Sequence, residues 1–147
     1  MASVQVNVEA PPARLAGPRL EALLERAVSA ALRDAGHGDG TVSLTLLDDA
    51  GITALNAEYL GRDGATDVLA FALHEAGETP VGDVYVGVEQ ATRQAKAYGV
   101  PLEEELVRLA IHGMLHVLGH DHPAGPEREQ SEMWALQERL VREVVDG

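Results

Sequence analysis

The segment LVRLAIHGMLHVLGHDH, residues 106–122, decides the architecture of this chain. From 106 to 118 it is apolar on nearly every side, which is typical of a helix packed between a sheet and other helices. Its last eleven residues place three histidines in the spacing HxxxHxxxxxH, at His112, His116 and His122. The segment therefore predicts a central, enclosed helix that ends in a cluster of imidazoles.

The histidine spacing has a direct geometric meaning. Residues four apart on an α-helix are stacked on one face, so His112 and His116 can meet at one ion, about 2.1 Å from each nitrogen. His120 cannot join them on a continuous helix, because eight residues advance the chain by about 12 Å. Gly119 can end the helix in the left-handed conformation and turn the chain back. We therefore predict that His122 completes a three-histidine metal site and that His120 lies outside the first coordination sphere.

The composition narrows the ion that such a site would hold. The chain contains no cysteine, which excludes thiolate zinc sites, disulfides and iron–sulfur clusters. Three imidazoles suit one Zn²⁺ ion best, with nickel, cobalt or copper as other occupants. Three protein ligands leave one tetrahedral position open, which is typical of catalytic zinc sites that activate water or polarise a substrate oxygen.

The residue after the first histidine separates this segment from the zinc proteases. The protease motif HExxHxxGxxH shares the three histidines and the glycine, but it needs a general-base glutamate where this chain has Gly113. This difference argues against peptide hydrolysis. Gly113 leaves bare backbone that either admits a substrate beside the metal or permits close helix packing, and both interpretations stay open.

The remaining periodicities alternate between strand and helix. Alternating or β-branched apolar runs predict four strands, at 4–8, 42–47, 68–73 and 84–88. Helical spacing predicts five helices, at 19–35, 50–60, 89–98, 102–118 and 127–145. These elements predict an α+β fold in which a mixed four-stranded sheet packs against helices around a central metal-binding helix, as in zincins. With 147 residues and 46% hydrophobic content, we expect one domain over 1–147.

Charge limits the partners of the chain. Twenty-four acidic and eleven basic residues give a formal net charge of −13, which opposes broad electrostatic binding of nucleic acid. A nucleic-acid substrate would need a local cleft in which a dication and a few cations, such as Arg62, Arg93 and Lys96, outweigh the acidic surface. The first residues lack signal-peptide regions and no apolar run approaches the ~20 residues that span a bilayer. We therefore expect a cytoplasmic protein with no membrane partner.

The histidine segment and several upstream landmarks resemble the YbeY family of bacterial metallo-endoribonucleases. Members of that family end this helix in a HGxLHLxGYDH-type segment, close to the HGMLHVLGHDH of this chain. The other matching landmarks, in order along the chain, are Asn56, Tyr59, Asp63, the run 66–69 with Phe71, and Gly82 with Asp83. The resemblance extends from about Leu44 to the last helix.

This resemblance implies a zinc-dependent endoribonuclease that prefers single strands. It also implies action in ribosomal RNA maturation, at the 3′ end of the small-subunit RNA, and in ribosome quality control. Single-stranded RNA, ribosomal RNA and ribosomal particles are then the expected partners, and no DNA substrate is expected. The three histidines would hold the ion, and Arg62 is the candidate catalytic residue that gives electrostatic support at the phosphate.

Four positions depart from the family pattern. Family members carry tyrosine at the position of His120, and they carry Ser and Pro where this chain has Ala70 and Ala72. They also carry an arginine, held to be functionally important, at the position of Leu60. Arg62, at a position often held by lysine, is the nearest cation that could replace it.

Polar neighbours could support the metal ligands from the second coordination sphere. Asp67 or Asp121 could accept the second ring N–H of a ligating histidine and so fix its tautomer. His120, one helical turn beyond His116, is either a solvated residue or another such neighbour. For Asp67 the structural alternative is that it and Thr66 satisfy the backbone of a turn before a strand.

Two other functions stay open beside the ribonuclease. One is a metal-dependent hydrolase of another substrate class that uses the same ion, against which Gly113 argues in the case of peptides. The other is a noncatalytic ribosome-assembly factor whose metal only stabilises the fold, and Leu60 favours that alternative.

Overall fold

The computed structural model describes residues 2–8, 18–120 and 127–147, with the side chains of 127–131 not included. Its strands are β1 (Ala2–Val8), β2 (Gly40–Leu47), β3 (Val68–Ala72) and β4 (Val81–Gly87). Its helices are α1 (Pro18–Asp34), α2 (Asp49–Leu60), α3 (Val88–Tyr98), α4 (Leu102–Val117) and α5 (Glu127–Asp146). The order and type of these elements confirm the prediction, and no end differs from it by more than three residues.

The strands form one mixed sheet in the order β1-β2-β4-β3. β1 is parallel to β2, and β2 is parallel to β4. The chain passes through α1 between β1 and β2, and through α2 and β3 between β2 and β4. β3 runs antiparallel to β4, with Phe71 opposite Asp83. Within the described residues, β1 and β3 are therefore the edge strands. This arrangement confirms the predicted α+β class with a mixed four-stranded sheet.

α4 is the central helix predicted from residues 106–118. Ten of its sixteen residues are buried, and it contacts β3, β4, α1, α3 and α5. Ile111, Met114 and Leu115 are at most 2% exposed. Neighbours on several sides fix the position of this helix, which is what a pair of metal ligands on it requires. None of the described helices is long and apolar enough to cross a membrane.

One face of α4 is polar even though the helix is enclosed. Successive members of this face are three or four residues apart in the sequence, which places them in one row; they are Glu105, Arg108, His112 and His116. Arg108 and His112 both hydrogen-bond to side chains of α5. α4 therefore presents apolar side chains to the sheet and a polar row to α5.

Two glycines bring α4 close to the sheet. A methyl group built on Gly113 would lie 2.7 Å from Val84 Cγ1 and 3.1 Å from Val68 Cγ2. A methyl group on Gly82 would likewise lie 2.7 Å from Val117 Cγ1. These separations are well below the optimal carbon–carbon distance of about 3.5–4.0 Å. The structure therefore supports close packing as the role of Gly113, because valine side chains cover the backbone that a substrate would otherwise reach.

Candidate metal centre

His112 and His116 converge on the same side of α4. Their Nε2 atoms lie 3.0 Å apart, and their rings are inclined by 76° with centroids 4.6 Å apart. Two nitrogens bound to one tetrahedral zinc ion at about 2.1 Å each would lie about 3.4 Å apart. The observed separation is only slightly shorter. The chemistry and spacing of these two donor atoms therefore fit a shared zinc ion.

The second ring nitrogen of His112 is held by α5. His112 Nδ1 lies 2.7 Å from Oε1 of Gln137, a residue that is 2% exposed. The sequence pointed to Asp67 or Asp121 as such a neighbour and missed Gln137. A glutamine in the middle of a helix carries no ligand signal of its own, and only the packing of α5 against α4 brings it to the ring.

The end of α4 confirms the predicted role of Gly119. Gly119 adopts a φ of +95°, which glycine tolerates without strain. Its N–H donates to the His116 carbonyl at 3.0 Å, and the His120 N–H donates to the Leu115 carbonyl at 2.9 Å. These two bonds form the Schellman motif that commonly ends a helix. The turn leaves His120 exposed to solvent just beyond the end of the helix.

The third predicted ligand, His122, lies outside the described residues, as does Asp121. Over the described ranges, no group of three or more His, Asp or Glu side chains is placed to hold a metal ion. The structure thus brings together two of the three predicted ligands, His112 and His116. The complete three-histidine centre stays a prediction.

Asp67 precedes β3 and is bound by its neighbours. Its Oδ2 accepts from Gln94 Nε2 at 3.2 Å, and its Oδ1 lies 3.5 Å from the Thr66 hydroxyl. Its backbone carbonyl accepts from the Gly87 N–H at 2.8 Å. These contacts agree with the structural alternative of a turn before a strand, and none of them reaches His112. A role of Asp67 toward another ligand stays a prediction.

Arg62 lies in the loop between α2 and β3, and buried Asn56 holds that loop. The Asn56 carbonyl accepts from the Arg62 N–H at 3.3 Å, and Asn56 Nδ2 donates to the Gly64 carbonyl at 3.1 Å. The Arg62 side chain is exposed and makes no ion pair with the described part of the chain. Leu60, at the position of the usual family arginine, is 42% exposed. Arg62 therefore extends from an anchored loop, and its guanidinium meets no carboxylate among the described residues.

Arg93 and Lys96, the other two cations predicted to line a cleft, differ in whether a carboxylate of the protein pairs with them. Arg93 Nη2 contacts both carboxylate oxygens of Asp49, at 3.2 and 3.1 Å, and Gln90 at 2.7 Å. Lys96 is exposed in the last turn of α3. The charge of Arg93 is therefore neutralised by Asp49, whereas Arg62 and Lys96 form no ion pair with any other described residue.

Three aromatic side chains meet on the face of the sheet opposite α4. Tyr59 and Phe71 pack edge to face with ring centroids 5.6 Å apart, and Phe71 and Tyr85 do so at 6.1 Å. Tyr59 is 60% exposed. The neighbouring strand positions Val68 and Val84 point the other way, toward Gly113 of α4. The aromatic cluster therefore lies on the face of the sheet opposite Gly113.

Beyond His112, the polar row of α4 continues as a network of charged groups. Arg108 holds Glu138 of α5 through two bonds, at 2.8 and 2.9 Å, and Glu105 at 2.9 Å. It also contacts Glu104 at 3.1 Å, and Arg142 contacts the same carboxylate at 2.6 Å. The hydrogen bonds that Arg108 donates to Glu138 raise the pKa of Arg108. Burial is the main cause that raises the pKa of Glu105, and the hydrogen bond from Arg108 only partly offsets the rise.

The chain is similar to known proteins over nearly its whole length. The family model described as Endoribonuclease YbeY matches residues 5–145. A Thermus thermophilus protein named Endoribonuclease YbeY is 41% identical over 122 residues, which cover 80% of this chain and 86% of that protein. A protein of the same name from Pelotomaculum thermopropionicum is 45% identical over 118 residues, covering 75% and 78%. The solution structure of a Thermotoga maritima protein matches with a TM-score of 0.68 at 29% identity, covering 96% of this chain and 88% of that one. The chain therefore belongs to the YbeY family.

Proposed function

We propose that this protein is a zinc-dependent endoribonuclease that cleaves single-stranded RNA in ribosomal RNA maturation and ribosome quality control. Membership of a family whose members are named endoribonucleases supports hydrolysis of RNA phosphodiester bonds. The observation that carries the metal-dependent part is the 3.0 Å approach of the His112 and His116 Nε2 atoms on an enclosed helix. We propose the 3′ end of the small-subunit RNA as the site of action.

Three histidines would hold one zinc ion in this protein. His112 and His116 are positioned by the packing of α4, and His122 follows the turn at Gly119 closely enough in sequence to join them. The ion would supply Lewis-acid stabilisation of the charge that develops at the scissile phosphate. His120, Asp121 and Asp67 are candidates for hydrogen bonds around this centre.

Arg62 is the proposed cation for the phosphate. Its guanidinium can bind two phosphate oxygens at once, and it meets no carboxylate of the described residues. With a net charge of −13, the protein must hold RNA through local contacts rather than through broad phosphate neutralisation. The anchoring of the loop by Asn56 lowers the cost of ordering Arg62 when substrate binds.

Ribosomal RNA and ribosomal particles are the proposed partners, and DNA is not a proposed substrate. Because ribosomal RNA is processed where ribosomes assemble, we propose the cytoplasm as the compartment of this protein. Among the described residues, one hydrophobic core receives side chains from all four strands and from four of the helices. This shared core supports a single domain over 1–147.

Cleavage of a labelled single-stranded RNA by zinc-loaded protein tests this proposal. Wild type is expected to cut the RNA and to leave a DNA strand of the same sequence intact. His116→Ala is expected to abolish cleavage, and Arg62→Ala to slow it by about 10²-fold, the usual cost of one donor at a developing negative charge. Arg19→Ala is the matched control, because Arg19 is an exposed arginine of α1 that pairs with Glu103. Cleavage that survives His116→Ala unchanged would contradict the proposal.

Leu60 supports a second candidate, a noncatalytic assembly factor with a structural metal. At 42% exposure, this side chain puts no charge where family members carry arginine. That candidate predicts that chelation lowers the melting temperature, while purified wild type and His116→Ala both fail to cut RNA. A peptidase is disfavoured, because Gly113 is packed against Val84 and leaves no room for the glutamate that peptide hydrolysis needs.

A further inference from the structure

Gln137 contacts the proposed metal ligand His112 from the neighbouring helix α5. It lies on α5 with 2% of its surface exposed. Its Oε1 lies 2.7 Å from His112 Nδ1, and its Nε2 donates to Glu138 Oε2 at 3.2 Å. Both ends of the buried amide are therefore bonded, one to the imidazole and one to a carboxylate.

The neighbouring ion pair sets the direction of this amide. Arg108 donates to both oxygens of Glu138, at 2.8 and 2.9 Å, so that carboxylate is held in one place. A carboxylate accepts hydrogen bonds, so the amide nitrogen of Gln137 must face it. The amide oxygen must then face the ring of His112. The orientation follows from the chemistry of the partners rather than from the placement of nearly equivalent O and N atoms.

We propose that Gln137 is a positioning residue that keeps the ring proton of His112 on Nδ1 and so presents the Nε2 lone pair to the metal. An amide oxygen only accepts, so the ring nitrogen facing it must be the protonated one. The unprotonated nitrogen then faces His116, where the proposed ion binds. This inference rests on the proposed metal site and adds a residue that determines its geometry.

The test changes the acceptor oxygen of the Gln137 side chain while keeping the size of the side chain similar. Gln137→Leu keeps much of the size but removes the acceptor, so the proton can move to Nε2 and the ring loses its anchor. Zinc affinity is then expected to fall about 10–100-fold, as for other residues that orient metal ligands. Gln137→Glu keeps the acceptor oxygen toward His112, so it is expected to restore the tautomer and tight zinc binding. Because its second oxygen faces the Glu138 carboxylate, this variant is expected to unfold at a lower urea concentration than wild type. Arg139→Leu is the matched control on α5, because it breaks only the exposed pair with Asp34.

Two measurements on the full chain decide the question. Long-range ¹H–¹⁵N spectra of the metal-free protein report the tautomer of His112, and competition with a chromophoric chelator reports zinc affinity. Wild type, Gln137→Glu and Arg139→Leu are expected to show the Nδ1–H tautomer, and Gln137→Leu to show Nε2–H with weaker binding. Where the leucine variant does not fold, Gln137→Ser, whose hydroxyl is too short to reach Nδ1, gives the same two readouts.

The outcomes separate this inference from the proposed function. An unchanged Nδ1–H tautomer together with unchanged zinc affinity in Gln137→Leu would overturn the role of Gln137. Failure of wild type to bind zinc would refute the proposed metal centre instead. In that case the spectrum of the metal-free protein still decides whether Gln137 sets the tautomer of His112.

Discussion

The two ends of the polar interface between α4 and α5 are built from different chemistry. At the arginine end, Arg108 and Arg142 face glutamates, and each guanidinium contacts at least one carboxylate within 3 Å. At the histidine end, His112 and His116 face each other through two nitrogens that can share only one proton. Polar groups that neutralise one another support the fold, whereas groups that turn lone pairs toward each other can bind an ion.

The arginine end also carries an internal imbalance of charge. Three carboxylates, those of Glu104, Glu105 and Glu138, surround two guanidiniums. Glu105 is the most buried of the three, and burial raises its pKa. For Glu104 and Glu138, burial is outweighed by hydrogen bonds from arginine, and both pKa values are lowered. The network is thus held together chiefly by Arg108.

Removal of Arg108 should lower the free energy of unfolding more than any other change proposed below. A small loss would contradict the structural role assigned to the arginine end. Arg108→Leu is expected to lower the free energy of unfolding by about 3–5 kcal/mol, because Glu105 and Glu138 stay partly buried without their counter-charge. Urea denaturation of the metal-free protein measures the change. Arg139→Leu, which loses an exposed pair, should cost no more than about 1 kcal/mol. Similar losses in the two variants would show that the buried network is no more important than a surface pair.

Zinc should stabilise the folded protein through the histidine end. The arginine end should not contribute to this gain. At a free zinc concentration about 100 times the Kd, wild type is expected to gain about 2.7 kcal/mol in unfolding free energy. His116→Ala should lose this gain. Arg142→Leu, which weakens the contact with Glu104, should keep it. Thermal or urea unfolding with and without zinc measures the gain, and a gain retained by His116→Ala would place the ion elsewhere.

Gly113→Ala should show that the histidine end is held to the sheet by close contact. The added methyl group meets Val84 at 2.7 Å, so a net loss of about 1–3 kcal/mol is expected. This loss should appear even though alanine favours a helix by about 1 kcal/mol over glycine. Adding Val84→Ala should relieve the clash, so the double variant is expected to be more stable than the sum of the single changes allows.

The control for this substitution is Gly38→Ala. No atom lies within 4 Å of a methyl group at that position, and its φ is not positive. Its unfolding free energy should change by less than about 0.5 kcal/mol. A neutral Gly113→Ala would mean that α4 can shift away from β4 at little cost, and the histidine pair would then be less firmly placed than the contacts indicate.

The smallest expected effect is the response of the arginine end to acid. Glu104 and Glu138 have folded pKa values below the ordinary glutamate value of 4.5. Their contribution is present above that value and is lost as the pH falls through the lower folded pKa. The raised pKa of Glu105 acts in the opposite sense, since its contribution is present at low pH and is lost as the pH rises through the folded value.

Unfolding free energies measured between about pH 6 and about pH 3 test this sign. Wild type should lose stability toward the acid end, where Glu104 and Glu138 become protonated. Glu138→Gln should be less stable near neutral pH but should show a shallower acid slope, because one group with a lowered pKa is gone. A steeper slope in Glu138→Gln would contradict the direction assigned to this carboxyl group.

The amino-acid sequence predicted those features that depend on residues close together in the chain. The period of residues 106–118 indicated an enclosed helix, and α4 is that helix. The four-residue spacing of His112 and His116 predicted converging rings, because one helical turn stacks such residues whatever surrounds them. Gly119 predicted the end of the helix for an equally local reason, the freedom of glycine to adopt a positive φ.

Contacts between distant parts of the chain were decided only by the tertiary structure. Gln137 contacts His112 from 25 positions further along the sequence. A single glutamine forms no sequence pattern from which this contact could be predicted. The two interpretations of Gly113 were equal in the sequence, and the packing of Val68 and Val84 against α4 favours one of them. Periodicity reports which face of an element is buried, but the partner of each buried group depends on how the elements pack together.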